Sequence, residues 1–208
     1  MNTTQQRFEG FLNTPVLWKD LEVYHLTQFK IEQEPLSFDQ AIDSNQRLGK
    51  YVERFVSFQL SRNPSIKIIS ENIQIFKDKI TLGELDCLLY KNGTPIHLEV
   101  IYKFYLYDPT KQGLDCWIGP NKKDSLVEKL DKLRQKQLPL LYAKECEKYL
   151  KSISLDTTDF SQQVYFKAQL FLPLGKNPSI NSLINTDCIA GFYCSPHTLI
   201  KFKNAKFY

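Results

Sequence analysis

The densest set of groups that could do chemistry lies between residues 83 and 103. Gly83-Glu84-Leu85-Asp86 is followed, across Lys91-Asn92-Gly93, by His97-Leu98-Glu99-Val100-Ile101-Tyr102-Lys103. A side-chain period of two puts Glu84 and Asp86 on one face of the first run, and Glu99, Ile101 and Lys103 on one face of the second. Asn-Gly between apolar runs is a hairpin pattern, and a hairpin turning there brings Asp86 close to Glu99. Two carboxylates held together cannot both stay ionised without a cation, and hard oxygen donors suit Mg²⁺ or Mn²⁺. Such an ion polarises a phosphodiester oxygen and lowers the pKa of an attacking water, while a lysine positions that water or neutralises developing charge. If a phosphodiester binds there, the reaction class is metal-dependent phosphodiester hydrolysis. Spacing alone does not separate such a site from exposed strand carboxylates beside a snorkelling lysine.

The elements that must hold this hairpin follow from periodicity. Leu48, Val52, Phe55 and Val56 recur at helical spacing, with Asp43 or Ser44 as N-cap and Asn63-Pro64 as the stop, which predicts a helix of about five turns. Ser65–Ile69 and Asn72–Phe76 read as short strands, and Thr81–Tyr90 leads into the turn. Pro95–Tyr107, rich in Val, Ile, Tyr and Phe, reads as a long central strand whose aromatics fill both layers. Gln112–Asn121 is a loop, and Asp124 caps a helix striped by Leu126, Leu130, Leu133 and Leu138 and flanked by Lys122, Lys123, Lys129 and Lys132. A helical stretch from Tyr142 to Ser152 precedes strands at Gln163–Leu172 and Ile189–Tyr193. Strands flanked by helices give an α/β fold. We read one domain, 1–208, with an N-terminal arm over 1–36 in which Pro15, Trp18 and Leu21 pack on the rest, a core over 43–140, and an extension of the sheet over 141–208.

Composition narrows the classes. With 208 residues, 42% hydrophobic, and only 8 Gly and 10 Pro, the chain is neither disordered nor collagen-like. The 27 basic against 23 acidic residues leave a net charge of +4, which permits a polyanionic partner without demanding one. No apolar run approaches the ~18–20 residues of a membrane span, and MNTTQQRFEG lacks the marks of a signal peptide, so a soluble cytoplasmic protein is expected. Five cysteines without a C-x-x-C pair and three histidines at no metal-ligand spacing argue against a disulfide framework and a zinc pattern.

The GELD and HLEVIYK segments resemble the PD-(D/E)XK nuclease superfamily, whose core sets an acid in GEID-like form on one hairpin strand and E-x-K on the next. More closely, RLGKYVERF, GELDCLLY, HLEVIYKFYLY and WIGPNKKDSLVEKL are similar to the bacterial domain of unknown function family 1853, over residues 45–140. The resemblance implies a restriction-endonuclease-like core, a central mixed β-sheet flanked by helices, and a DNA- or RNA-cleaving ancestry. It implies that Asp86 and Glu99 hold Mg²⁺ or Mn²⁺, that Glu53 supports the ion from the preceding helix, and that Lys103 assists the water. Lys122, Lys123 and Lys129 would line a phosphate path. A homodimer is compatible, since many nucleases of this fold cut duplexes as dimers.

One departure matters. The position two residues after the acid is Ile101, and Lys103 comes four residues on; at about 3.3 Å per residue that is roughly 13 Å against roughly 7 Å. A β-bulge near Ile101 or Tyr102 would shorten the gap, or a lysine from a helix, Lys50 or Lys129, would substitute. Gln135 and Gln137 stand where some nucleases of this class carry glutamines, and are left outside the expected site. Two alternatives stay open: a catalytically inactive module of this fold that binds nucleic acid or protein, and a hydrolase of a small phosphorylated molecule.

Overall fold

The computed structural model describes residues 3–19, 22–32, 35–43 and 46–202. Along the chain come α1 (Thr3–Asn13), the two-residue strands β1 (Glu22–Val23) and β2 (Leu26–Thr27), α2 (Leu48–Arg62), and three long strands, β3 (Ile66–Lys77), β4 (Ile80–Lys91) and β5 (Thr94–Tyr107). Then follow β6 (Trp117–Ile118), α3 (Leu126–Lys132), α4 (Lys144–Ser152), β7 (Ser161–Pro173), β8 (Ile189–Tyr193) and α5 (Pro196–Leu199). A mixed six-stranded sheet has the order β3-β4-β5-β7-β8, with β6 against the end of β5. The β3-β4 and β4-β5 pairs are antiparallel, whereas β5-β7 and β7-β8 are parallel. A parallel neighbour needs a long crossover, and the segment carrying α3 and α4 supplies the one from β5 to β7.

β5 is central because its side chains are apolar on both faces. Leu98, Val100 and Tyr102 pack with Phe8 and Phe11 of α1 and Val52 and Phe55 of α2, while Ile101 and Tyr105 pack with Trp117, Leu126 and Leu130 on the opposite side. A third cluster joins Ile73 and Leu85 to Leu141 and Leu150. The Asn92-Gly93 turn has positive φ at both residues, 50° and 80°, between the paired Lys91 and Thr94, the left-handed geometry that a two-residue hairpin loop demands.

Three local expectations are corrected. α2 has 15 residues, with Arg47 as N-cap and no side-chain capping bond; Asp43 lies ahead of it, its carbonyl accepting from the Tyr51 hydroxyl at 3.2 Å, and Ser44 is outside the described residues. The two short strands after it are one, β3, continued through a register shift between Ile68 and Ser70. α3 is capped by Ser125, which exchanges bonds with Glu128 in a capping box, and this frees Asp124 for another partner. The leucine stripe breaks its spacing between Leu133 and Leu138 because a π-turn spans Leu133–Gln137, closed by the Leu138 N–H on the Leu133 carbonyl; Pro139 follows, inside a 3₁₀ turn over Leu138–Tyr142.

The N-terminal arm lies along β7. Leu17 N donates to Phe166 O and Phe29 N to Val164 O, both at 2.8 Å, and Trp18 is buried; Leu21 is outside the described residues. Lys167 of β7 ties the arm down. Its ammonium, buried over the Phe11 ring, donates to the carbonyls of Phe11, Leu12 and Thr14 at 2.9, 2.9 and 2.6 Å. These are the orphan acceptors at the negative end of α1, and an ammonium has one N–H for each. Burial lowers its pKa to about 8, which keeps it charged at neutral pH. Lys167→Met, which keeps the stem and strands three buried carbonyls, should cost about 2–4 kcal/mol in urea unfolding with an unchanged denaturant slope; a loss below about 0.5 kcal/mol would show that these carbonyls find other donors.

Candidate metal centre

The β4-β5 ladder runs from Lys91↔Thr94 to Cys87↔Leu98 and, among the described residues, stops there. The next pair would be Asp86 with Glu99. Instead the Asp86 side chain turns between the strands, its Oδ2 accepting the Val100 N–H at 2.8 Å. The earlier part of β4 stays with β3, through Leu85↔Ile73 and Glu84↔Gln74. The strands therefore part at Asp86, and a cleft of about 200 Å³ opens there, lined by Glu53, Glu71, Asp86, Lys103 and Lys129 beside Val52 and Tyr102.

Glu99 is fully buried behind this cleft. Its Oε1 meets His97 Nε2 at 3.1 Å, and its Oε2 accepts from Gln137 Nε2 at 2.5 Å. Gln137 Oε1 in turn accepts from Lys129 Nζ at 2.7 Å. Gln162 Nε2 lies 3.1 Å from His97 Nδ1 and donates to the Leu138 carbonyl at 2.6 Å. With an amide donor at Nδ1, the N–H that His97 donates to Glu99 is on Nε2. The π-turn supplies Gln137 to this network, and the parallel partner β7 supplies Gln162.

The electrostatics are those of crowded acids under a lysine. The Asp86 carboxyl is pushed up to about 7, by burial first and by the charge of Glu99 second, against the pull of the Val100 N–H and of Lys129. Burial lowers Lys129 to about 8, while Glu99 and Asp86 draw it back up. Asp86 and Lys129, from the walls of the cleft, thus both feel the charge of Glu99 behind it.

The remaining expected residues have other partners. Glu53 lines the cleft from α2 and pairs with Lys50 at 2.7 Å. Lys103 lines it too, but its ammonium is 2.6 Å from Asp124 Oδ2. The turn carrying Asp124 needs Gly119, since a Cβ there would sit 1.9 Å from Asp124 Oδ1. Lys122 and Lys123 are exposed on that turn, outside the residues that line the cleft. Glu71 was missed by the sequence reading; it lines the cleft from β3, where Ser57 Oγ donates to it at 2.9 Å. His97, Gln162 and Asp124 were missed in these roles as well, and of them only His97, two residues before Glu99 on the same strand face, could have been read from the pattern.

Among the described residues, no three His, Cys, Asp or Glu side chains come close enough together to cage a metal ion. Mg²⁺ does not need a cage, since it keeps several waters and takes one or two carboxylates. Hard carboxylate oxygens whose joint ionisation is opposed by burial and mutual repulsion fit such an ion.

A family model described as Domain of unknown function (DUF1853) matches residues 6–208. The chain is a DUF1853 protein. No curated protein and no solved structure matches it. The match takes in the arm, the sheet through β8 and α5, so in this DUF1853 chain it covers every element that bears on the cleft. Among the described residues, no helix is long and apolar enough to cross a membrane.

The Asp86 shift has a consequence for stability. The folded protein holds the proton up to about pH 7, while an unfolded chain releases it near about 3.9, so this group's contribution to stability is lost as pH rises through that window. Asp86→Asn keeps an acceptor for the Val100 N–H and carries no charge. In EDTA at pH 8 it should exceed the wild type by about 1–3 kcal/mol in urea unfolding, with little difference at pH 4.5. A wild type equally stable at pH 8 would show that the ionised carboxylate is fully compensated.

Proposed function

We propose that this DUF1853 protein is a metal-dependent nuclease of the PD-(D/E)XK type, with a restriction-endonuclease-like core, that hydrolyses phosphodiester bonds of DNA or RNA. The observation that carries this reading is the parting of β4 from β5 at Asp86, which opens a cleft lined by Asp86 and Lys129 with Glu99 buried behind it. Asp86 and Glu99 would hold Mg²⁺ or Mn²⁺, with Glu53 at the wall contributed by α2. The ion, when bound, supplies Lewis-acid polarisation and a more acidic water. Asp86 is aimed by the Val100 N–H, and Glu99 by His97 and Gln137. Lys129 takes the role that the sequence pattern gave to Lys103. Its Nζ faces the acids through Gln137, and its lowered pKa lets it take up or release a proton near neutrality. Lys122 and Lys123, exposed on the turn beside Asp124, would add positive charge for a polyanion, while the charge of Lys103 is balanced by Asp124. Such a nuclease would work in the cytoplasm, where its unpaired thiols stay reduced.

One observation favours a second reading, a nucleic-acid-binding module without cleavage. Both Glu99 oxygens already accept hydrogen bonds inside a fully buried network, which leaves only the second lone pair of each for an ion. Labelled single- and double-stranded DNA and RNA, incubated with the protein in Mg²⁺ or Mn²⁺ and in EDTA, separate the two. Cleavage in metal alone is expected, falling by about 10²–10³-fold in Asp86→Asn and in Lys129→Met, and by much less in Lys103→Met. Binding without cleavage would move the assignment to the module. Lys103→Met as inactive as Asp86→Asn, with Lys129→Met active, would return the lysine role to Lys103.

A further inference from the structure

Beside the carboxylate cleft lies a second, of about 380 Å³, and Val52 and Tyr102 line both. Its far walls are Arg7 and Gly10 of α1 and Gln169 of β7, over a floor that includes Tyr51.

Three features fit this space to a flat heteroaromatic ring. Gly10 sits inside α1, where glycine costs roughly 1 kcal/mol against alanine, and a Cβ there would meet nothing within 4 Å. Gly10 is exposed and borders the cleft, so a longer side chain there has room to reach over it. Gly49 repeats this at the first cleft, again with nothing within 4 Å of a built Cβ. The Gln169 amide is fixed by a chain of bonds: its Nε2 donates to the Tyr102 hydroxyl at 2.9 Å, that hydroxyl lies 2.9 Å from Thr14 Oγ1, and Thr14 donates to the Gly10 carbonyl at 2.8 Å. With Nε2 so engaged, the acceptor Oε1 is left for a ligand, the group a glutamine offers to the N–H edge of a base. Arg7 lies over the Tyr51 ring at 4.8 Å and has no carboxylate partner among the described residues, so the rim carries a planar cation suited to phosphate.

We propose that the second cleft is a nucleobase subsite. An unstacked base enters it against Tyr102 while the adjoining phosphate lies in the first cleft. The substrate is then a single strand, or a duplex locally opened, because a stacked base cannot reach a side pocket. This rests on the nuclease reading above and adds to it the form of the nucleic acid.

The test uses a fluorescein-labelled hexathymidylate and the same backbone with all six bases missing, titrated with protein in EDTA and followed by anisotropy. The intact strand should bind the wild type about 10-fold or more tightly than the abasic one, as base stacking on aromatic side chains commonly provides. Gly10→Leu, which fills the cleft with a better helix former, should remove that preference and leave abasic binding unchanged; Gly10→Ala, checked with it by circular dichroism, should keep most of it. Equal binding of the two strands by the wild type, or a preference that survives Gly10→Leu, overturns the subsite alone if metal-dependent cleavage is present. A wild type that neither binds nor cleaves any strand overturns the nuclease reading and the subsite with it.

Discussion

The Asp86 carboxylate occupies a hydrogen bond that a backbone carbonyl of a continuing ladder would otherwise make. That substitution ends the pairing of β4 with β5 without leaving the Val100 N–H unsatisfied, which a buried backbone group does not tolerate. It also fixes an acid in a place where its charge is opposed by burial and by Glu99. The opening, its lining and its electrostatics are three results of one side chain standing in for main chain. The arrangement persists because the rest of β5 is anchored on both faces and along β7, from Ile96↔Ser161 to Leu106↔Phe171. Local strain of this kind, held by over-determined surroundings, is characteristic of sites that bind or react.

Glu99 shows how the surroundings set direction. Its two oxygens are held by a residue of its own strand and by one from the π-turn, and the strand residue is oriented in turn from β7. A carboxylate so held has little rotational freedom left to lose when a ligand arrives, which is the energetic meaning of preorganisation. Lys129 joins the same network one bond further out, so the cation and the acids are positioned by a shared set of contacts.

The parts of the fold governed by local chemistry were legible in the sequence. Asn92-Gly93 dictates the hairpin, the aromatic and β-branched run after it gives β5, and Ile189–Tyr193 emerges as β8. Legibility fell where the partner is distant or the geometry irregular. Asp124 looked like a cap, but Ser125 with Glu128 makes the better box, and Asp124 then meets a lysine 21 residues upstream. The strand pattern points first to Lys103, and Lys129, which the sequence offers only as a substitute, arrives from a helix that the sequence does not orient; its Nζ reaches Glu99 through Gln137. Gln137 sits on the acid only because a π-turn inserts one residue between Leu133 and Leu138, a shift that regular periodicity hides. β3 read as two strands because Ser70 and Glu71 interrupt its apolar pattern; the next residue, Asn72, has φ 54° and borders the cleft.

The three carbonyls at the end of α1 wait more than 150 residues for the ammonium that satisfies them. On a chain made from its N-terminus, α1 is synthesised first and has Phe55 and Phe58 of α2 to pack on, but its last carbonyls are satisfied only once β7 is in place. Contacts of such sequence separation close slowly. The C-terminal end of the helix that walls the second cleft is therefore held only with β7 in place beside β5, so the pairing that completes the sheet also completes that wall.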